Sequence, residues 1–183
     1  PSKNSLKLPQ LIALKATADS NLADVISKNT NYNNKVNERI TAFSGLKSFS
    51  TRLVNALQTT DATPETIGNA KTFNLKMQGK KASSAQTPTD PNTPAPNTIS
   101  TSQQSYDQLI QHLAGLTSIL EAETSYTPNE TDLQVATLQT KIADLTAKNT
   151  AVATAYASIS NSRIARNETL YSSSTGLVET ANE

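Results

Sequence analysis

The sequence predicts an all-α protein, an elongated antiparallel helical bundle with an internal duplication and a Pro-rich crossover linker. Three observations predict it. Apolar residues recur at steps of three, four and seven along most of the chain, which is the periodicity of amphipathic helices. No stretch alternates polar and apolar residues for long enough to propose a strand. Breakers are scarce: there are five glycines in 183 residues, and four of the eight prolines fall together within 82–100.

The first element is a long helix over roughly 9–57. Leu22, Val25, Tyr32, Val36, Phe43, Leu46, Leu53 and Leu57 keep the helical step. Its weak point is Asn29-Thr30-Asn31-Tyr32-Asn33-Asn34, a composition that also suits a turn. A short helix over roughly 63–80 opens on Thr63-Pro64-Glu65, with a capping residue followed by proline at the first helical position. A second short helix over roughly 101–125 carries Tyr106, Leu109, Ile110, Leu113, Leu116 and Leu120, with Thr101 and Gln104 as a weaker start signal. The last element is a rod over roughly 128–173, opened by the capping box Thr127-Pro128-Asn129-Glu130. Leu138, Ile142, Leu145, Val152, Tyr156 and Ile159 continue it, and no breaker interrupts it before Gly176. Short connections set each short helix antiparallel to its neighbouring rod. Leu22, Val36, Leu53, Leu138, Leu145 and Ile159 are then expected in the core.

Residues 82–100, ASSAQTPTDPNTPAPNTIS, hold one large aliphatic residue and no aromatic one. They read as an extended linker. The chain is thereby organised as a first helical unit, 1–81, the linker, and a second helical unit, 101–183, packed as one bundle.

The two units share sequence. Shifted by 124, NERITAFSGLKSFSTRLV (37–54) lies over NSRIARNETLYSSSTGLV (161–178) with nine of 18 positions identical. Shifted by 120, LADVISKNT (22–30) lies over IADLTAKNT (142–150). Four extra residues separate the blocks in the second copy, about one helical turn, which a continuous helix absorbs as a stutter. This is the mark of a duplication. It makes Arg39 equivalent to Arg163, and Asp24 to Asp144. The expected role of these four is a structural polar core, with each arginine partly buried, its stem on apolar surface and its guanidinium on a carboxylate or backbone carbonyl. The first copy runs on for 27 residues after Val54, to Lys81, and the second for five after Val178. The natural chain is therefore expected to continue into a further helix.

The second half also resembles a known family. ISTSQQSYD (99–107), YTPNETDLQVATL (126–138), AKNTAV (147–152) and ARNETLYSSSTGLVETA (165–181) are similar to tandem all-helical proteins of Bacteroidetes-type bacteria. The resemblance implies a helical fold. The family has no established activity, so it implies no functional residues.

Several functions are disfavoured by composition. With no cysteine there is neither thiolate catalysis nor a Cys-ligated metal. The single histidine, His112, has no Glu three residues before it, so the Glu-x-x-His unit of bundle di-metal sites is missing. Glu121 and Glu123 point to different helix faces and make no paired acid and base. No Gly-rich phosphate loop or nucleophile elbow occurs. Net charge is +1 with no basic cluster beyond Lys80-Lys81, which argues against nucleic-acid binding. No apolar run approaches a membrane span.

What remains is a non-enzymatic helical-bundle interaction or spacer protein, with a protein partner or self-association, and no catalytic, cofactor or metal residue. A self-assembling cell-surface or filament-type subunit is the first alternative, supported by few charges and abundant Ala, Thr, Ser and Asn. An enzyme or small-ligand binder with an unrecognised site is the second. Secreted, cell-surface and cytoplasmic locations all suit this composition.

Overall fold

The computed structural model describes residues 3–79 and 104–182; the 82–100 segment, Thr101 and the Lys80-Lys81 pair lie outside them. The described residues form six α-helices: α1 (Leu8–Phe43), α2 (Leu46–Gln58), α3 (Pro64–Gln78), α4 (Tyr106–Ala122), α5 (Val135–Tyr171) and α6 (Leu177–Asn182). Short 3-10 turns stand at Asn4–Leu6 and Thr131–Leu133, and no strand occurs among the described residues. The protein is all-α. No described helix is long and apolar enough to cross a membrane.

The boundaries correct the expected rods in two places. The first rod does run unbroken through the Asn-rich stretch 29–34. It breaks instead at Ser44-Gly45, where Gly45 takes φ +74°, a left-handed conformation that ends a helix cheaply only at glycine. The second rod does not start at the Thr127 capping box. Glu130 is extended at φ −74°, ψ 118°, and its carboxylate is turned to Arg52 rather than to the backbone. Gln134 is also extended, and α5 begins only after it, at Val135. By contrast the Thr63 cap forms as expected, its side chain accepting from the Thr66 amide ahead of Pro64. For α4 the cap is Ser105, which accepts from the Gln108 amide.

Contacts divide the chain into two compact units whose borders lie inside the long helices: 1–42 with 148–183, and 43–147. The unit over 43–147 is an up-and-down four-helix bundle of α2, α3, α4 and the first turns of α5. Gln78, at the end of α3, donates to the Lys47 carbonyl at the start of α2, 2.7 Å away. Gln104, just before α4, donates to the Lys76 carbonyl near the end of α3 at 2.6 Å. Gln139 of α5 donates to Glu121 near the end of α4. Each pair of successive helices is thus antiparallel. Leu46, Leu53, Val54 and Leu57 of α2 are buried in this unit, as are Met77, Leu113, Leu116, Leu120, Leu138 and Leu145. A Cβ on Gly115 of α4 would come within 2.4 Å of the Phe73 ring, so α3 and α4 pack closely there because that position has no side chain. His112 is buried in the same bundle, its ring 6.4 Å from that of Phe73.

The other unit is an antiparallel pair, α1 against α5 from Lys148 onward. Asn21 donates to Thr169, the Tyr32 and Tyr156 rings meet tilted with centroids 5.9 Å apart, and Arg39 donates to Asn149. Residue numbers climb on one helix as they fall on the other. Among the described residues Ala18, Val152, Ala155, Ile159, Ser162 and Gly176 are buried here. Leu53, Leu138, Leu145 and Ile159 are buried as expected, but Leu22 is 42% exposed and Val36 is only half-buried. The reason is the single partner: α1 turns its Ala18, Val25 and Tyr32 side toward α5, and Leu22 lies around the helix from that line.

Candidate functional site

The duplicated residues meet their counterparts. Arg39 Nη1 donates to Asn149 Oδ1 at 3.0 Å, and Arg163 Nη2 approaches Asn29 Oδ1 at 3.5 Å. Arg163 is the repeat equivalent of Arg39, and Asn149 that of Asn29, so the two contacts are one contact made twice. Tyr32 and Tyr156, equivalent under the shift of 124, touch each other. The helix pair is thus pseudo-twofold, in the manner of an isologous interface inside one chain. The neighbouring charges depart from the symmetry. Asp24 accepts from the Ser162 hydroxyl and lies 3.9 Å from Lys28. Glu38 is held by Lys35 at 2.8 Å and by Lys148 at 3.4 Å. Lys35, and then Lys148, hold the Glu38 carboxyl below the usual carboxylate range.

The four sequence-picked residues are therefore not gathered into one polar core. Asp24, Arg39 and Arg163 share the α1–α5 pair; Asp24 and Arg39 are hydrogen-bonded to neutral side chains, and Arg163 only approaches one. Arg39 is half-buried, but Arg163 is exposed where it was expected to be partly buried. Its place in the pair leaves the guanidinium at the solvent edge, 3.5 Å from its partner and beyond good hydrogen-bond range. Asp144 belongs to the four-helix unit and is exposed.

The four-helix unit holds a cleft of about 680 Å³ that the sequence reading missed. The end of α2, the 59–61 turn and the 125–133 segment line it. Arg52 dominates it, donating to Glu130 at 2.6 Å and to Asp132 at 2.8 Å. Asp132 and then Glu130 raise the Arg52 pKa further. Beside them Tyr126 is buried, and its hydroxyl donates to the Leu133 carbonyl at 2.9 Å. Burial, then the two carboxylates, push the Tyr126 phenol up to about 12. A phenol with a raised pKa stays protonated and is a poor proton donor, and the guanidinium is occupied by two carboxylates. The cleft's main polar groups are spent on one another, so it braces the α2 end against the loop before α5. The one sequence signal was Gly176 standing opposite Arg52 in the repeat, which marks Arg52 as particular to the first copy.

A second feature lies on the α1–α5 pair. Leu8, Ile12, Leu22, Ile26 and Ile40 of α1 are 42–70% exposed. At 3.6 residues per turn they fall in one stripe. Tyr156, Ile164 and Tyr171 of α5 are exposed as well, and Ile164 is the equivalent of Ile40. A dyad that exchanges two antiparallel helices runs perpendicular to the layer they form. Ile40 and Ile164 therefore share one face of that layer. Among the described residues no group of three or more His, Asp or Glu side chains could hold a metal ion. No protein-family model, curated protein or solved structure matches the chain.

Proposed function

We propose that this is a non-enzymatic helical interaction protein, in which the 43–147 bundle is a stable body and the α1–α5 layer presents an apolar face to a protein partner. One observation carries the reading: the exposed aliphatic side chains of α1 are aligned in one stripe. Singly exposed apolar residues are ordinary on any surface, whereas an aligned set marks a contact surface. The Arg52 guanidinium, engaged by both Asp132 and Glu130, supports the non-enzymatic part.

The test compares the proteins that co-purify with the parent and with an Ile26→Asp/Ile164→Asp variant. Both residues are exposed, so circular dichroism should stay unchanged. A partner, foreign or a second copy, held by the parent and lost by the variant is the expected result. Identical binding by both would overturn the reading. The regular spacing on α1 also favours self-association over a foreign partner, as developed next.

A further inference from the structure

The exposed side of α1 reads Leu8, Ile12, Lys15, Asp19, Leu22, Ile26. The steps are four, three, four, three, four, a heptad seam with a charged pair at its centre. All six are exposed: the four aliphatic residues by 42–70%, Lys15 and Asp19 by 74% and 61% at the side chain. The seam is also palindromic about Thr17. Laid antiparallel on a copy of itself with the dyad at Thr17, it sets Leu8 against Ile26, Ile12 against Leu22, and Lys15 against Asp19. These are the a-to-d layers of an antiparallel coiled coil. A parallel copy would set Lys15 on Lys15 and Asp19 on Asp19, like charge on like.

We infer that the occupant of this face is a second copy of the chain, docked through α1 as an antiparallel, isologous coiled coil with reciprocal Lys15–Asp19 pairs at its dyad. The inference rests on the reading of the α1–α5 face as an interaction surface. Charge complementarity is its support. The Lys15–Asp19 bridge, 2.6 Å within one chain, becomes in the pair a ring of alternating charges. Such a central polar layer fixes register in coiled coils. Area sets its strength. The four exposed aliphatic side chains of the seam, at on the order of 100 Å² each, give roughly 800 Å² over both copies, the size of a weak, transient interface. The dimer is therefore reversible and concentration-dependent. Being isologous, it closes on itself and does not grow into a filament.

Sedimentation equilibrium of the full chain over a concentration series tests this, with Lys15→Glu and Asp19→Lys as variants. The parent should be a reversible dimer. Each variant alone sets like charges across the dyad, and its dimer dissociation constant should rise at least about tenfold. An equimolar mixture of the two restores opposite charges at both places and should return to dimer. That rescue also shows that both variants are folded. A parent that stays monomeric throughout overturns the inference, as does a parent dimer that neither reversal weakens. A monomeric parent that holds a foreign protein, lost on Ile26→Asp, overturns the second-copy inference while leaving the interaction reading in place. A monomeric parent that holds nothing overturns both.

Discussion

Tyr126→Phe isolates one buried polar contact and gives it a pH signature. Tyr126 is 6% exposed, and its hydroxyl donates to the Leu133 carbonyl at 2.9 Å. Phenylalanine keeps the ring and its packing but leaves that buried carbonyl without the phenol, at a cost of about 1–3 kcal/mol. The second consequence follows from the phenol's pKa, raised from 10.0 to about 12 by burial and by Asp132 and Glu130. A raised folded-state pKa means stability that is fully present below the unfolded value and lost as pH rises through the folded one. The window is therefore pH 10 to 12. At about 1.4 kcal/mol per unit, the phenol's contribution falls by roughly 2–3 kcal/mol across it. The phenylalanine variant has no such proton to lose. Urea unfolding followed by far-ultraviolet circular dichroism, on both proteins from pH 8 to 12, measures the difference directly. Working with the difference cancels the other tyrosines and the lysines. The parent should be the more stable protein at pH 8, and its advantage should vanish by pH 12. A constant difference across that range would refute the link between burial and titration. No difference at pH 8 would refute the hydrogen bond as a brace for the loop before α5.

Three further outcomes are expected. Gly115→Ala drives a Cβ to 2.4 Å from the Phe73 ring, and despite alanine's better helix propensity it should cost about 1–3 kcal/mol in a urea melt; adding Phe73→Leu should recover part of that. Gly45→Val places a β-branched residue at φ +74° and should cost about 1–2 kcal/mol by the same assay, whereas Gly68→Ala, with open space around its Cβ, should be neutral or stabilising. A double-mutant cycle on Tyr32 and Tyr156, each changed to Ala, should give a coupling of about 0.5–1.5 kcal/mol; zero coupling would mean that the two equivalent rings touch without stabilising the pair.

The sequence by itself determined the helical class, because the three-and-four spacing of Leu53, Leu57, Leu113, Leu116, Leu138 and Leu145 can bury one face only as a helix. It determined the Thr63 cap, a local contact between a side chain and an amide three residues on. It also set Arg39 equivalent to Arg163 and Asn29 to Asn149. Only the tertiary structure decided that these equivalents meet across the α1–α5 pair, since a repeat says which residues match and nothing of which touch. Tertiary contacts also overruled local signals. The Thr127 capping box lost Glu130 to Arg52, a residue 78 positions away, and α5 started later. Leu22 has the periodicity of a core residue, yet it stays exposed because α1 has one partner helix in its unit. Periodicity gives each helix an apolar side; how much of that side is covered depends on how many neighbours the fold supplies. In α1 the fold leaves a second stripe open, with Lys15 and Asp19 at its centre.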